Sequence, residues 1–297
     1  MAFDVILLGT GSPLPAANRC GAGNLIIGGE GTTLIDCGWG AARRLIATGV
    51  PIGSVNTLFF THMHSDHISD LPDFLMMRWT MGGATQPLTV YGPEGTREMV
   101  EGFRAGLNPD VRYRIAHHGD KLAPAGIEVI VQEILATPDA TAVASIGDLA
   151  ISAFEVDHFP VVPALGFKVE QGSVAAVFSG DTKKCDALVR ASKGADVLVS
   201  EAVHLGMMAD RIKMARGAGN ERVAQMLEEA CDYHAPTLAV AEMAQEAGVG
   251  ALMISHLIPP IPDSGPSIEQ FIAGMEKVYT GPITVGRDMQ RFTVGAA

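Results

Sequence analysis

Hydrophobic and polar positions alternate along the chain in blocks that predict strands and helices following one another. Short apolar runs rich in β-branched residues, bounded by glycine or proline, predict strands at 5–8, 25–27, 32–35, 55–61, 88–91, 148–156, 165–170, 174–178, 196–200 and 250–254. Apolar positions at helical spacing predict helices at 40–47, 71–81, 94–105, 220–231, 237–247 and 266–278. No short repeat or low-complexity linker divides the chain, so we expect a single domain over 1–297.

Residues 106–148 lack a regular pattern and predict a loop or small excursion near the mouth of a site. They contain the turn-type triplets Asn108-Pro109-Asp110 and Thr137-Pro138-Asp139. The pair His117-His118 is not interpreted as a set of metal ligands, because a complete set of metal-binding side chains occurs elsewhere.

The hexapeptide His62-Met63-His64-Ser65-Asp66-His67 directly follows the predicted strand at 55–61. Open α/β sheets gather their active sites at the C-terminal ends of strands. Imidazole and carboxylate are ligands that zinc and its first-row neighbours accept. Four such side chains within six residues favour a site for two metals over a site for one.

Further ligand-type residues follow predicted strands downstream: His158, Asp181 and His256. A dinuclear site with three ligands per metal and one bridging carboxylate needs about seven groups. The complete candidate set is His62, His64, Asp66, His67, His158, Asp181 and His256.

These motifs resemble the metallo-β-lactamase superfamily of metal-dependent hydrolases over nearly the whole chain. The resemblance begins in the segment 7–13, continues through 34–38 and 61–67, and ends near Ser255-His256. The opening segment and the run 163–167 look most like the ribonuclease Z and arylsulfatase branch. The resemblance implies a four-layer αββα sandwich, which two β-rich halves flanked by helices also favour, with metals in the cleft between the sheets.

The resemblance also implies how the ligands are shared between two divalent ions. His62, His64 and His158 would bind the first ion, Asp66, His67 and His256 the second, and Asp181 would bridge them. Zinc is the first expectation, with manganese or iron as alternatives. Two such ions would give hydroxide near neutral pH, so no protein nucleophile is required. Asp66 could also orient the nucleophile or receive its proton.

Protonation of the leaving group needs a further acid. His234 precedes a predicted helix and resembles the branch's catalytic histidine, with Glu201 as its candidate partner. His204 could line the pocket instead.

Composition and charge suggest where the protein works and what it binds. The chain has 297 residues, a net charge of −12 and a sequence pI of about 5.1. An acidic surface repels phosphate backbones and anionic membranes, so we expect neither nucleic acid nor a membrane as a partner. The four cysteines are far apart, and no signal-type segment precedes the first strand, so a cytoplasmic location is expected.

Three departures from ribonuclease Z shape the expected function. Ser200 stands where that family usually has histidine, Ala235 where it usually has serine, and only the 22 residues 159–180 separate His158 from Asp181. A long arm that grips tRNA cannot fit there. We therefore expect hydrolysis of a small-molecule ester, a phosphodiester or an aryl sulfate, by a homodimer.

Three other functions stay open. They are a lactonase, amidase or thioester hydrolase with the same chemistry, a tRNA 3′-processing endonuclease, and a binding protein without activity. A measurement of metal content would distinguish the inactive binding protein from the enzymes. A complete set of ligand-type residues argues against the inactive protein, because a protein that binds no metal has no structural need for such a set.

Overall fold

Two seven-stranded mixed sheets pack face to face in the computed structural model, which describes residues 1–295. The first sheet has the order β14-β1-β2-β3-β4-β5-β6. Its strands are β1 (Phe3–Gly9), β2 (Gly23–Ile27), β3 (Thr32–Ile35), β4 (Thr57–Phe59), β5 (Leu88–Gly92), β6 (Val129–Glu133) and β14 (Gln290–Val294). Pairing is antiparallel from β14 to β3 and parallel from β3 to β6.

The second sheet repeats this arrangement in the order β13-β12-β11-β10-β9-β8-β7. Its strands are β7 (Thr141–Ile146), β8 (Leu149–His158), β9 (Val161–Gln171), β10 (Val174–Phe178), β11 (Val197–Val203), β12 (Ala251–Ile258) and β13 (Ile283–Val285). Pairing is antiparallel from β7 to β10 and parallel from β10 to β13.

Helices cover the outer faces of both sheets. They are α1 (Ala41–Ala47), α2 (Ser65–Ile68), α3 (Leu71–Thr80), α4 (Thr96–His118), α5 (Asp186–Ser192), α6 (Leu205–Gly217), α7 (Glu221–Ala230), α8 (Thr237–Ala247) and α9 (Pro266–Phe271). Short 3₁₀ turns occupy Ile52–Ser54, Gly119–Lys121, Pro124–Ile127 and Met275–Lys277. Within the described residues, no helix is both long and apolar enough to cross a membrane.

Three apolar layers hold the sandwich together, and they confirm the predicted αββα architecture. Between the sheets, Phe59 packs edge-on against Phe167 with ring centroids 5.4 Å apart, among other buried aliphatic residues. One outer layer joins the first sheet to α1, α3 and α4, and the other joins the second sheet to α5, α8 and α9. Burial on both faces explains why the parallel strands are continuous apolar runs.

The prediction of a loop over 106–148 is wrong. Helix α4 continues to His118, because Met99, Phe103, Leu107 and Val111 form a stripe four residues apart that packs on the core. Pro109 removes one backbone hydrogen bond from α4, but the apolar stripe continues on both sides of Pro109 and its packing keeps the segment helical. The remaining residues supply β6 and β7, the edge strands of the two sheets.

Other elements also differ from the predicted pattern. Helices α5 and α6 and the strands β13 and β14 were not predicted, and the helix expected at 266–278 ends at Phe271 before a 3₁₀ turn. The two strands lie at sheet edges, where exposed polar residues interrupt the apolar signal.

Candidate metal centre

The hexapeptide 62–67 occupies the turn between β4 and α2. Strand β4 is parallel to its neighbours β3 and β5, so its C-terminal end lies at the same edge of the first sheet as theirs. The amide of His67 donates to the carbonyl of His64 at 3.0 Å, which closes the turn. Asp66 and His67 are thereby buried on α2, while His64 is partly exposed.

The second sheet supplies the other candidate ligands from three strand ends. His158 is the last residue of β8, Asp181 follows β10, and His256 lies near the end of β12 with a left-handed φ of 46°. Gly180 has a φ of 59°, and a Cβ there would lie 2.5 Å from the Leu165 carbonyl oxygen. Only glycine therefore fits the turn that aims Asp181 into the cleft.

The seven predicted ligands lie together in two groups. Candidate ligand atoms of His62, His64, His158 and Asp181 lie within 4.8 Å of one another, as do those of Asp66, His67 and His256.

Asp181 lies between the two groups. Its Oδ2 is 3.7 Å from His62 Nε2 and 3.4 Å from both His67 Nε2 and His256 Nε2. This oxygen is therefore placed to serve both groups at once.

Asp36, at the end of β3, orients His67. Its carboxylate accepts a hydrogen bond from His67 Nδ1 at 2.9 Å and from the Thr61 amide at 2.9 Å. The residue is buried and has a φ of 62°, a conformation that strains a non-glycine residue. Sequence reasoning did not assign Asp36 a role, although a lone carboxylate directly after a buried strand was the available signal.

His158 is oriented in a similar way by the backbone. Its Nδ1 donates to the carbonyl of Tyr233 at 2.9 Å, which directs Nε2 toward Asp181, 4.0 Å away. Such hydrogen bonds fix the tautomer and ring orientation of metal-binding histidines.

Burial keeps three of the histidines neutral. It lowers the pKa of His62 and His64, and it lowers the pKa of His158 to about 4. Neutral imidazole is the form that binds metal.

His67 and His256 differ from them. Burial opposes their charge, but Asp181 and the other nearby carboxylates outweigh it and raise both pKa values. In the absence of a metal ion, the protonated rings of His67 and His256 would neutralise part of the negative charge of the buried carboxylates.

Polar atoms without partners show that the site fits divalent ions. Among the described residues, His67 Nε2 and Asp181 Oδ1 are buried without a hydrogen-bond partner. Both residues line a cavity of about 30 Å³ between the sheets. Buried charges of this kind are normally paired or coordinate metals, so the donor set and the space both suit metal ions.

His234 and Glu201 form a buried pair beside the ligands. His234 Nδ1 lies 2.9 Å from Glu201 Oε1, which also accepts from the Thr182 amide at 2.9 Å. Burial raises the pKa of Glu201, and the attraction of His234 only partly offsets this. His234 Nδ1 is also 4.0 Å from Asp181 Oδ2, so the pair touches the ligand set.

The remaining histidines lie outside this arrangement. His204 caps α6, accepting from the Met207 amide at 3.1 Å, and its Nε2 donates to the Gln270 carbonyl at 3.0 Å, so its ring is not free to line a pocket. His117 and His118 are exposed at the end of α4.

We expect Asp36→Asn to weaken metal binding about 10- to 100-fold, because an amide has a single acceptor oxygen and cannot accept from both His67 Nδ1 and the Thr61 amide. The measurement is a competitive titration of the metal-free protein against a chromophoric chelator. Asp73→Asn, an exposed change on α3 with the same loss of charge, is the matched control. Equal affinities for the two variants would remove Asp36 from the site.

Similar proteins place the chain in a family. Residues 32–257 match the family described as Beta-lactamase superfamily domain. Ribonuclease Z of Mycobacterium bovis is 36% identical over 297 residues, covering 98% of each chain, and ribonuclease Z of Mycobacterium avium is 36% identical over 296 residues, covering 99% of each.

Solved structures share the fold at lower identity. Human tRNase Z, short form, has a TM-score of 0.70 and 20% identity, covering 99% of this chain and 100% of that one. The metallo-beta-lactamase fold protein YhfI from Bacillus subtilis has a TM-score of 0.70 and 19% identity, with the same coverage.

These relatives correct the expectation that nucleic acid is not a partner. That expectation was based on net charge, whereas full-length relatives at 36% identity are named as ribonucleases. By this sequence identity and the matched domain, the chain belongs to the metallo-β-lactamase superfamily, in its ribonuclease Z branch, and is a metal-dependent hydrolase.

Proposed function

We propose that the protein is a ribonuclease Z, an endonuclease that removes the 3′ trailer from precursor tRNA. The full-length identity to relatives of that name carries the proposal. The alignment of 297 residues spans 98% of the Mycobacterium bovis protein, so that relative has about the same length. The length of this chain therefore does not by itself separate it from ribonucleases Z. Hydrolysis of a small-molecule ester stays an untested prediction.

The same proposal assigns the ligands. His62, His64 and His158 would hold one divalent ion, Asp66, His67 and His256 a second, and Asp181 both, with zinc as the first choice. When bound, such ions lower the pKa of a water molecule and polarise the phosphate. The buried atoms of His67 and Asp181 that lack partners support this assignment.

The chain's own residues would then position the water and move protons. Asp66 orients the water that attacks phosphorus and receives its proton. A tRNA end that can be extended needs a free 3′-hydroxyl, so the bond from phosphorus to O3′ breaks and the trailer keeps the phosphate. Because Glu201 holds His234 Nδ1, the Nε2 atom of His234 is left to donate a proton to O3′.

The test is cleavage of a 5′-labelled precursor tRNA by metal-replete protein, beside an aryl phosphodiester, an aryl sulfate and a lactone. We expect one cut that releases the trailer, with kcat/KM of about 10⁴ M⁻¹s⁻¹ or more on the tRNA. His64→Ala should lose this activity, and His117→Ala, at the exposed end of α4, should keep it. Intact tRNA together with efficient turnover of one small ester would contradict the proposal.

A further inference from the structure

A cavity of about 290 Å³ opens beside His234 and outside the metal-ligand set. Loop residues 12–14, helix α7 and the end of β12 form its walls. Its apolar lining includes Leu14, Val223, Met226 and Ile258, and Tyr233 and His234 form another part of its wall. The ligand assignment and the proton transfer described above leave this cavity without a role.

The part of the wall formed by Tyr233 and His234 is fixed relative to the candidate ligands. The Tyr233 ring lies 4.7 Å from the His234 ring and 5.2 Å from the His158 ring, measured between centroids. The Tyr233 carbonyl also accepts from His158. A group in the cavity would therefore be close to the atom that receives a proton from His234.

The size and lining of the cavity suit one flat ring system. Its volume lies just below the range of about 300–1,000 Å³ found for pockets that enclose drug-sized molecules. Nucleobases that lie outside a helix stack on aromatic side chains, and Tyr233 offers such a surface here. Apolar walls formed by Leu14 and Met226 would cover the rest of a base.

Arg222 adds a positive charge to the wall of the cavity. Its Nη1 lies 3.6 Å from Met226 Sδ, and within residues 1–295 no carboxylate comes close enough to pair with it. Arg216, in contrast, is neutralised by Glu221 and Glu228. A guanidinium that no carboxylate neutralises attracts phosphate, even in a chain of net charge −12.

We propose that this cavity binds the base of the last nucleotide retained in the tRNA, the nucleotide whose O3′ is the leaving group, and that Arg222 contacts its 5′-phosphate. This inference depends on the proposed ribonuclease function. It makes the segment 222–234, rather than a long arm, the part of the chain that recognises the end of the tRNA.

The test combines a protein variant whose cavity is filled by a larger side chain with a tRNA substrate that lacks the base expected in the cavity. Met226→Trp places a larger side chain in the cavity, and Met214→Trp is the matched control, an exposed methionine on α6 that does not line it. Each protein is assayed on precursor tRNA with a normal or an abasic nucleotide before the cut. We expect the abasic change to lower kcat/KM of the unaltered protein about 10-fold or more. Met226→Trp should show the same loss on normal tRNA and no further loss on abasic tRNA.

Two results would contradict the proposed base-binding cavity. The first is an unchanged kcat/KM of Met226→Trp on normal tRNA. The second is a kcat/KM of Met226→Trp that falls on abasic tRNA by the same factor as that of the unaltered protein. Arg222→Gln should also reduce the slope of log(kcat/KM) against log salt by about one unit, unlike Arg112→Gln on α4. An unchanged slope would remove Arg222 from phosphate binding.

Failure of the proposed function gives a different pattern. If the unaltered protein leaves tRNA intact, the ribonuclease proposal and the Arg222 contact both fall. The role of the cavity is then tested by hydrolysis of bis(p-nitrophenyl) phosphate, because the p-nitrophenolate leaving group would occupy the cavity. A loss of about 10-fold for Met226→Trp relative to Met214→Trp would support the cavity as the leaving-group site, and equal rates would reject it.

Discussion

Asp181→Ala should bind less than a full complement of metal and lose about 10³-fold or more of kcat/KM. The Oδ2 atom of Asp181 lies within 4.0 Å of nitrogens in His62, His67, His158, His234 and His256. Its removal leaves both ligand groups without their common oxygen. Lewis-acid stabilisation is worth several kcal/mol, and each 1.36 kcal/mol is tenfold in rate.

Metal content by plasma mass spectrometry and kcat/KM on the same preparation measure this loss. Asp186→Ala, an exposed change at the start of α5, is the matched control. Circular dichroism in the presence of chelator shows whether the variant still folds. Full metal content and full rate in a folded Asp181→Ala protein would reject the ligand assignment.

His234→Ala should keep its metal and lower kcat about 10²- to 10⁴-fold, which is the usual contribution of a positioned acid. The loss should be largest for poor leaving groups such as a ribose 3′-oxygen and smallest for p-nitrophenolate, which departs without a proton. The measurement is kcat over a series of phosphodiesters of increasing leaving-group pKa. His117→Ala serves as the control.

Two outcomes would remove His234 from proton donation. An equal loss across the series would indicate a structural effect. Loss of metal would mean that His234 acts as a ligand, since it is close enough to share an ion with Asp181 and His256. In either case the hydrogen bond between Glu201 and His234 Nδ1 would have no part in proton donation.

Local chemistry made much of the site predictable from the sequence. Ligand-type residues at strand ends predicted seven side chains that the structure brings together, because the strands that carry them, in both sheets, end at the site. Their role as ligands is still a proposal. Asp36 was missed, since a single carboxylate carries no spacing pattern, and its contact with His67 spans 31 positions in the sequence.

Other features depend on tertiary structure or on local charge. Pro109 and its neighbours resemble a turn, but packing of Leu107 and Val111 keeps α4 helical. The partner prediction failed because net charge averages over the whole chain. Arg222 has no acidic partner among the residues described, so a protein with a negative net charge can still present a positive side chain at one place on its surface.

The candidate ligands come from both sheets, and this ties metal supply to stability. The first sheet provides the hexapeptide, and the second provides His158, Asp181 and His256. Any ion that both sheets hold binds the folded chain and not the separated halves. At free metal 100 times the dissociation constant, this linkage adds about 2.7 kcal/mol to the free energy of unfolding. Metal starvation would therefore reduce the amount of folded protein as well as its activity.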